Sequence, residues 1–406
     1  MSAIAAETSP HPLESWDRFT RDLNALGHQV MANLPERLHG DPQIEQELGR
    51  ILLQALASKT IDALASDADH PVFVPWINGA LNVFQPNADT IYKIATVSPE
   101  GVYRLRGKQG TLNLFKIGQF GSPTPEEAGA GAPVTPIAYN DFNALSVDED
   151  GRYDVILSSE KPVGHTGDWW HLDPRTVRLW VRQVAYDWSK EVDPTISIER
   201  LDVPVTRPRP SAAVLEERLL AIPTLTGNMA SYFLSHVEEL RDNGYINKLK
   251  EFDLTQLGAF QGQFYYEGSY ELADDEALIV TAKVPEVCHY WSVILTNELF
   301  ETTDWANNHS SLNGSQARVD SDGYVRFVVA AKDPGVANWL DTAGYPIGVV
   351  QGRWTDCDSS PVPDAEKVAF SDIRKHLPLA TEEVTTQQRE QIIRERRAQF
   401  NQRPLW

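Results

Sequence analysis

The stretch from Asp333 to Trp354 gathers Asp333, Asn338, Trp339, Asp341, Tyr345, Arg353 and Trp354. Two indoles can wall a pocket, a guanidinium can hold an anion or a developing oxyanion, and Asp341 or Asn338 can orient it. The same residue types also serve plain structural ends. Asp333-Pro334-Gly335 reads as a turn, Trp339 and Trp354 as core aromatics, and Arg353 with Asp341 as an internal strut. Just upstream, Asn307, His309 and Asn313 lie in a polar loop that follows an aromatic run containing Tyr290. His309 is the histidine expected to act as a general base, against the commoner fate of a loop histidine as solvated surface. Asp341, His309, Arg353 and Tyr290 form the expected catalytic set. Asn87, Asp89, Tyr92 and Arg182 from the first half, with Asn307, Asn313, Asn338, Trp339 and Trp354 from the second, are expected to contact substrate. If both sets face one cleft, carboxylates and guanidiniums meet there with perturbed pKa values suited to acid–base work.

Other chemistries lack their signatures. No glycine-rich phosphate cradle follows a strand, and no Gly-x-Ser-x-Gly elbow is present. The ten histidines are scattered, without a His-x-His or His-Glu-x-x-His spacing. Neither a cofactor nor a metal is therefore expected. Cys288 and His289 are adjacent, and neighbours on a strand point to opposite faces, so they make a poor catalytic pair.

The chain has 406 residues and a formal net charge of −21, which disfavours nucleic acid and anionic membranes as partners. Its apolar runs are too short to span a bilayer, and Met1 to Pro10 has no secretory pattern. Two cysteines, Cys288 and Cys357, cannot build a disulfide framework, and a reducing, cytoplasmic compartment is the simpler expectation. A small-molecule substrate and a homodimer complete the expected partners.

Residues 1–70 read as helical, with stripes Trp16, Phe19, Leu23, Leu26, Val30 and Ile44, Leu48, Ile51, Ala55, and with Asp41-Pro42 as a helix start. Residues 71–205 carry strand signals broken by a Gly- and Pro-rich loop from Gly121 to Pro136. Residues 206–258 form a helical linker from Ser211 to Gly244. Residues 259–370 return to strands, and 371–406 form a charged helix, about Thr381 to Phe400, and a tail. On that helix Arg389, Arg394, Arg396, Arg397 and Arg403 read as a solvated face, with Ile392, Ile393 and Phe400 able to dock it and Leu405-Trp406 as a docked tail.

The two strand-rich regions repeat one another. Glu100 and Glu276 precede similar strands, Asp150-Gly151 matches Asp322-Gly323, Asp168-Trp169 matches Asn338-Trp339, and Arg182 falls opposite Arg353, all in one order and separated by 170–176 residues. Such a duplication predicts two tandem β units, and units of this size close as sandwiches or jelly rolls. Asx-Trp and Arg then become fold signatures of each unit, whereas Asn307, His309, Asn313 and Asp341 have no counterpart and suit specific chemistry.

The run Tyr290-Trp291-Ser292, Asn307, Ser311-Leu312-Asn313, Asp333 to Thr342, Gly348 and Arg353-Trp354 resembles the family catalogued as domain of unknown function 1214. Asn87-Ala88-Asp89-Thr90-Ile91-Tyr92 looks like its N-terminal partner, domain of unknown function 1254. The resemblance implies a bacterial protein with a double jelly roll, and implies no activity. The fold expected is therefore mainly β with helical additions: two tandem jelly-roll-like units, a helical N-terminal segment, a helical linker and a C-terminal helix. The function expected is a cofactor-independent lyase, or less readily a hydrolase, acting on a bulky aromatic or alicyclic molecule in bacterial catabolism. A non-catalytic small-molecule binding protein and a structural scaffold are the alternatives.

Overall fold

Helix α1 (Glu14–Met31) buries Phe19, Leu26 and Val30, while Trp16 stays half exposed. Helix α2 (Pro42–Ala65) begins where the sequence predicts, with the Asp41 side chain accepting from Gln43 N and Ile44 N. The computed structural model describes residues 14–122, 134–254, 259 and 262–404. Met1 to Pro10, the middle of the Gly- and Pro-rich loop and the Leu405-Trp406 tail lie outside the described residues. Among the described residues no helix is long and apolar enough to cross a membrane.

The remaining structure is mainly β. The first half contains β1 (Val74–Pro75), β2 (Thr90–Thr96), β3 (Tyr103–Lys108), β4 (Leu114–Gly121), β5 (Thr135–Asp141), β6 (Arg152–Ser158), β7 (Asp168–His171), β8 (Thr176–Val184) and β9 (Ser197–Arg200). The second contains β10 (Lys250–Phe252), β11 (Gln263–Glu271), β12 (Glu276–Lys283), β13 (Cys288–Leu295), β14 (Ser311–Asn313), β15 (Tyr324–Ala330), β16 (Trp339–Asp341), β17 (Ile347–Cys357) and β18 (Asp364–Ala369). The first half forms sheets β1-β2-β8-β4-β5 and β7-β6-β3-β9, and the second forms β10-β11-β17-β13-β14 and β16-β15-β12-β18. Adding nine to each strand of the first half reproduces the second, so the two halves share one topology. In each, the two sheets face one another over a single apolar core, built in the second half from Tyr266, Val280, Trp291, Phe327, Val350 and Trp354 and in the first from Tyr103, Leu105, Phe115, Tyr153, Leu179 and Val181.

Details repeat as well. Gly151 N–H donates to Asp148 O and Gly323 N–H to Asp320 O, both at 2.9 Å, and both glycines take the positive φ that their turns need. The Asp168 carboxylate accepts from Ser146 N, and the Asn338 amide oxygen accepts from Arg318 N. Trp169 Nε1 donates to Ser158 Oγ, and Trp339 Nε1 to Ala330 O. The repeated Asx-Trp pair thus closes the parallel β6–β7 and β15–β16 ladders.

The helical linker divides into α3 (Ala212–Ser231), capped by Ser211, and α4 (His236–Asp242), a break that the continuous apolar period conceals. The last helix, α5 (Thr386–Gln402), starts with a Thr385–Gln388 capping box. Its expected solvated arginines divide. Arg389, Arg396 and Arg403, seven residues apart, are buried, and they clasp the body of the protein. Arg389 pairs with Asp333 at 3.0 Å, Arg396 donates to Trp305 O and Ser311 Oγ, and Arg403 pairs with Asp193 and donates to Asp89 O. A second correction concerns the cysteines. Cys288 and Cys357 face each other across β13 and β17 and form a disulfide, a bond that the expected reducing compartment disfavours.

Candidate functional site between the two five-stranded sheets

Alternation on β17 decides which of its residues enter the core and which leave it. Val350 and Trp354 point into the second core, and Trp354 Nε1 donates to Pro361 O, so Trp354 is a core aromatic and not a pocket wall. Gln351, Arg353 and Thr355 therefore project from the opposite face. Cross-strand registry adds Tyr265 and Glu267 from β11 and Tyr290 and Ser292 from β13 to that face. It is polar yet buried, and Arg353 is only 5% exposed.

The first five-stranded sheet offers the matching face. Tyr92 on β2 lies opposite Arg182 on β8, and Lys116 on β4 flanks Arg182. One residue pair along, Leu114 and Val184 pack against Tyr290 of the other half, which makes the seam between the faces. Beside it Lys116 pairs with Asp356 at 3.2 Å.

At this seam sits a closed hydrogen-bond network. The Tyr290 hydroxyl donates to Asp89 Oδ2 at 2.7 Å and accepts from Asn87 Nδ2 at 2.7 Å. Asp89 Oδ1 accepts from Trp188 Nε1 at 2.8 Å and Asn313 Nδ2 at 2.9 Å. Asn87 N–H donates to the Tyr92 hydroxyl at 3.1 Å. Burial pushes the Asp89 carboxyl up, against the three donors that favour its charge. Burial, with the neighbouring Asp89 carboxylate adding to it, raises Tyr290 well above an ordinary phenol. Tyr290 is thus a protonated hydroxyl at neutral pH, placed to give a proton rather than to take one.

Arg353 is the unbalanced member. Its guanidinium lies 4.8 Å from the Tyr265 ring centroid, and Nη2 donates to Gln351 Oε1 at 3.3 Å. Its Nε finds no hydrogen-bond partner among the described residues, nor do Gln351 Nε2 and Ser269 Oγ on the same face. None of the ion pairs among the described residues involves it, and the groups that favour its charge are the phenols Tyr265, Tyr290 and Tyr92 and, at longer range, the Asp89 carboxylate. A buried cation with no carboxylate in direct contact is costly to hold, and a bound anion would relieve that cost.

The expected site residues therefore separate. Asn87, Asp89, Tyr92, Arg182, Tyr290, Asn313 and Arg353 come together between the halves. His309, Trp339 and Asp341 lie instead under α5. His309 Nδ1 bonds Trp339 O at 2.6 Å and Nε2 bonds Arg389 Nη1 at 3.1 Å, so Nε2 is the acceptor and its lone pair is taken. Burial, reinforced by Arg389 and Arg396, drives its pKa down to about 3. That geometry makes His309 a strut, not a general base. Asp341 accepts from Ala343 N and neighbours Asp333 and Arg389, so it does not orient Arg353 as expected. Asn338 holds Arg318 through both amide atoms. Asn307 is exposed in a turn with Asp304. Tyr265, Gln351 and Trp188 escaped the sequence reading. The repeat offset was the signal for Tyr265, which follows Tyr92 by 173 residues as Arg353 follows Arg182 by 171.

Among the described residues no group of three or more His, Cys, Asp or Glu could hold a metal ion. An open depression of about 900 Å³ lies on the other sheet of the first half, and its Arg104, Arg106 and Arg152 are each paired with a carboxylate.

Residues 270–349 match the family described as Protein of unknown function (DUF1214). That match contains Tyr290, His309, Asn313 and Asp341, and stops short of Arg353. The chain is similar to an uncharacterized protein of Burkholderia cenocepacia, with 26% identity and a TM-score of 0.78 over 88% of this chain and 97% of that one. It also aligns with the VPA0106 protein of Vibrio parahaemolyticus at 13% identity and a TM-score of 0.44, over 79% of this chain and 99% of that one. No curated protein matches the chain.

Proposed function

We propose that the chain is an acid–base enzyme, needing no organic cofactor, that acts on a small anionic molecule with an aromatic or alicyclic body. A lyase fits better than a hydrolase, because the site offers proton donors and an anion anchor and no activated nucleophile. The observation that carries this reading is the buried guanidinium of Arg353, in no ion pair among the described residues and with its Nε unmatched. Arg353 binds the substrate anion and stabilises negative charge as it develops. Tyr290 transfers a proton, and Asp89, whose carboxyl burial favours in the neutral form, exchanges one with it. Tyr92 and Tyr265 supply flat walls. We further read the two repeated halves as jelly-roll-like domains spanning 71–205 and 259–370, the first of them the counterpart of domain of unknown function 1254, in a bacterial catabolic enzyme.

A thermal-shift screen of aromatic and alicyclic acids tests this, with mass spectrometry of every hit after incubation. Acids are expected to stabilise the wild type and not Arg353→Gln, and product is expected to vanish in Tyr290→Phe. If no acid stabilises the wild type, the assignment of the site fails. Binding without product would favour the non-catalytic binding protein.

A further inference from the structure

Helix α5 reaches Asp89 at two points. Arg403, which ends the helix, donates from Nη1 to Asp89 O at 2.7 Å. The same carbonyl accepts from Ala185 N at 2.9 Å, so the backbone of Asp89 is fixed from both sides. Arg396 reaches the side chain through an indole. Its guanidinium lies 4.6 Å from the Trp188 ring centroid, and Trp188 Nε1 donates to Asp89 Oδ1 at 2.8 Å. Phe400, one turn further along α5, packs against both Trp188 and Trp305.

The direct partners of Arg396 are all neutral. Nε donates to Trp305 O, Nη2 to Ser311 Oγ, and Nη1 to Gln316 Oε1 at 3.3 Å. The guanidinium therefore joins Trp188 of the first half to three residues of the second. It is buried, and the carboxylates in its field are Asp89 and the exposed Asp304. Around Asp89 stand the phenols of Tyr290 and Tyr186 and, in its field, the guanidiniums of Arg396 and Arg353. His309 lies in the field of Arg396 and is neutral at ordinary pH.

Proton transfer would load this arrangement. When Tyr290 gives its proton to a substrate, the broken O–H bond is restored from the Asp89 carboxyl, and the negative charge comes to rest on Asp89. Oδ1 then keeps the N–H groups of Trp188 and Asn313, and Oδ2 keeps the Tyr290 hydroxyl. A cation behind the indole favours that charged form.

We infer that Arg396 is a positioning residue of the site: it seats Trp188 so that the indole N–H meets Asp89, and it sets a positive charge behind that carboxylate. The inference rests on the acid–base reading above and makes α5 a working part of the site.

The titration of Asp89 in the full chain decides the matter and needs no substrate. Protein labelled with carbon-13 at the aspartate carboxyl is followed by NMR from about pH 4 to 9. Asp89 is assigned by the signal that disappears in Asp89→Asn. Arg396→Gln is expected to raise its midpoint by roughly one unit. Arg396→Lys, which keeps the charge, should restore most of the wild-type value. Trp188→Phe, which keeps an aromatic seat and removes the N–H, should shift the midpoint upwards as well. Circular dichroism and melting temperature establish folding, and Arg396→Met replaces the glutamine variant if that one does not fold. An unchanged midpoint in Trp188→Phe or in the folded neutral variant would overturn the assignment and leave the Arg353 site standing. So would a lysine variant that titrates as the neutral one does, or loss of folding in every Arg396 variant. A shifted midpoint in a protein that turns over no acid would support the role of Arg396 in setting the charge of Asp89 and overturn the enzymatic reading alone.

Discussion

Arg353 sits directly across the β11–β17 ladder from Tyr265, 4.8 Å over its ring, with its Nε–H unmatched among the described residues. Tyr92 and Arg182 repeat this relationship on β2 and β8. A structural arginine at such depth would normally be matched by a carboxylate or by carbonyls, as Arg389, Arg396 and Arg403 are. Arg353 has no such direct partner, which separates it from the three clasping arginines.

Replacing Arg353 with methionine should therefore leave the fold intact and make it equally stable, or more stable by about 1–3 kcal/mol, because an uncompensated buried charge gives way to apolar volume. Anion binding should be lost in the same variant. Urea unfolding measures the first effect. A loss of several kcal/mol would mean that Arg353 is a structural strut.

Tyr290→Phe removes the hydroxyl that joins Asn87 to Asp89 and leaves two buried polar groups short of a partner. The expected cost is about 1–3 kcal/mol, with turnover falling far more than substrate affinity. A loss of substrate affinity with turnover unchanged would assign Tyr290 to binding alone.

His309 gives the protein an acid-sensitive element. Its folded pKa of about 3 lies below the ordinary 6.5, so between these values the unfolded chain binds a proton that the folded chain refuses. Stability contributed by this residue is complete above pH 6.5 and is lost as pH falls towards 3, at a slope of up to about 1.4 kcal/mol per unit. His309→Gln, which keeps a side-chain donor and acceptor, should flatten that slope in unfolding curves measured from pH 7 to 4. An unchanged slope would exclude His309 as its source.

The Cys288–Cys357 disulfide closes a loop with a sequence separation of 69 and ties together the strands that carry Tyr290 and Arg353. Its reduction, or the double serine variant, should cost about 2–4 kcal/mol. Comparing melting temperatures with and without dithiothreitol checks this, and identical values in oxidised and reduced protein would show that the bond contributes nothing.

What the sequence determined by itself was periodic and repeated. Apolar spacing and the Asp41 cap placed α1 and α2, and the Asp-Gly turns marked the same hairpin in both halves. The constant offset foretold two halves of one topology, because duplicated chains keep their ladder and turn requirements even where identity is low. Proximity of Asp341 to Arg353 along the chain suggested one cluster, yet a β-strand sends alternate side chains to opposite faces. That rule put Trp354 in the core and Arg353 outside it, while β16 carried Asp341 away under α5. Only the packing of one half against the other could bring Asp89 to Tyr290 across 201 residues, or set Arg389 upon the free nitrogen of His309. Contacts of that separation follow from which face each sheet buries against its neighbour, and no local spacing records it.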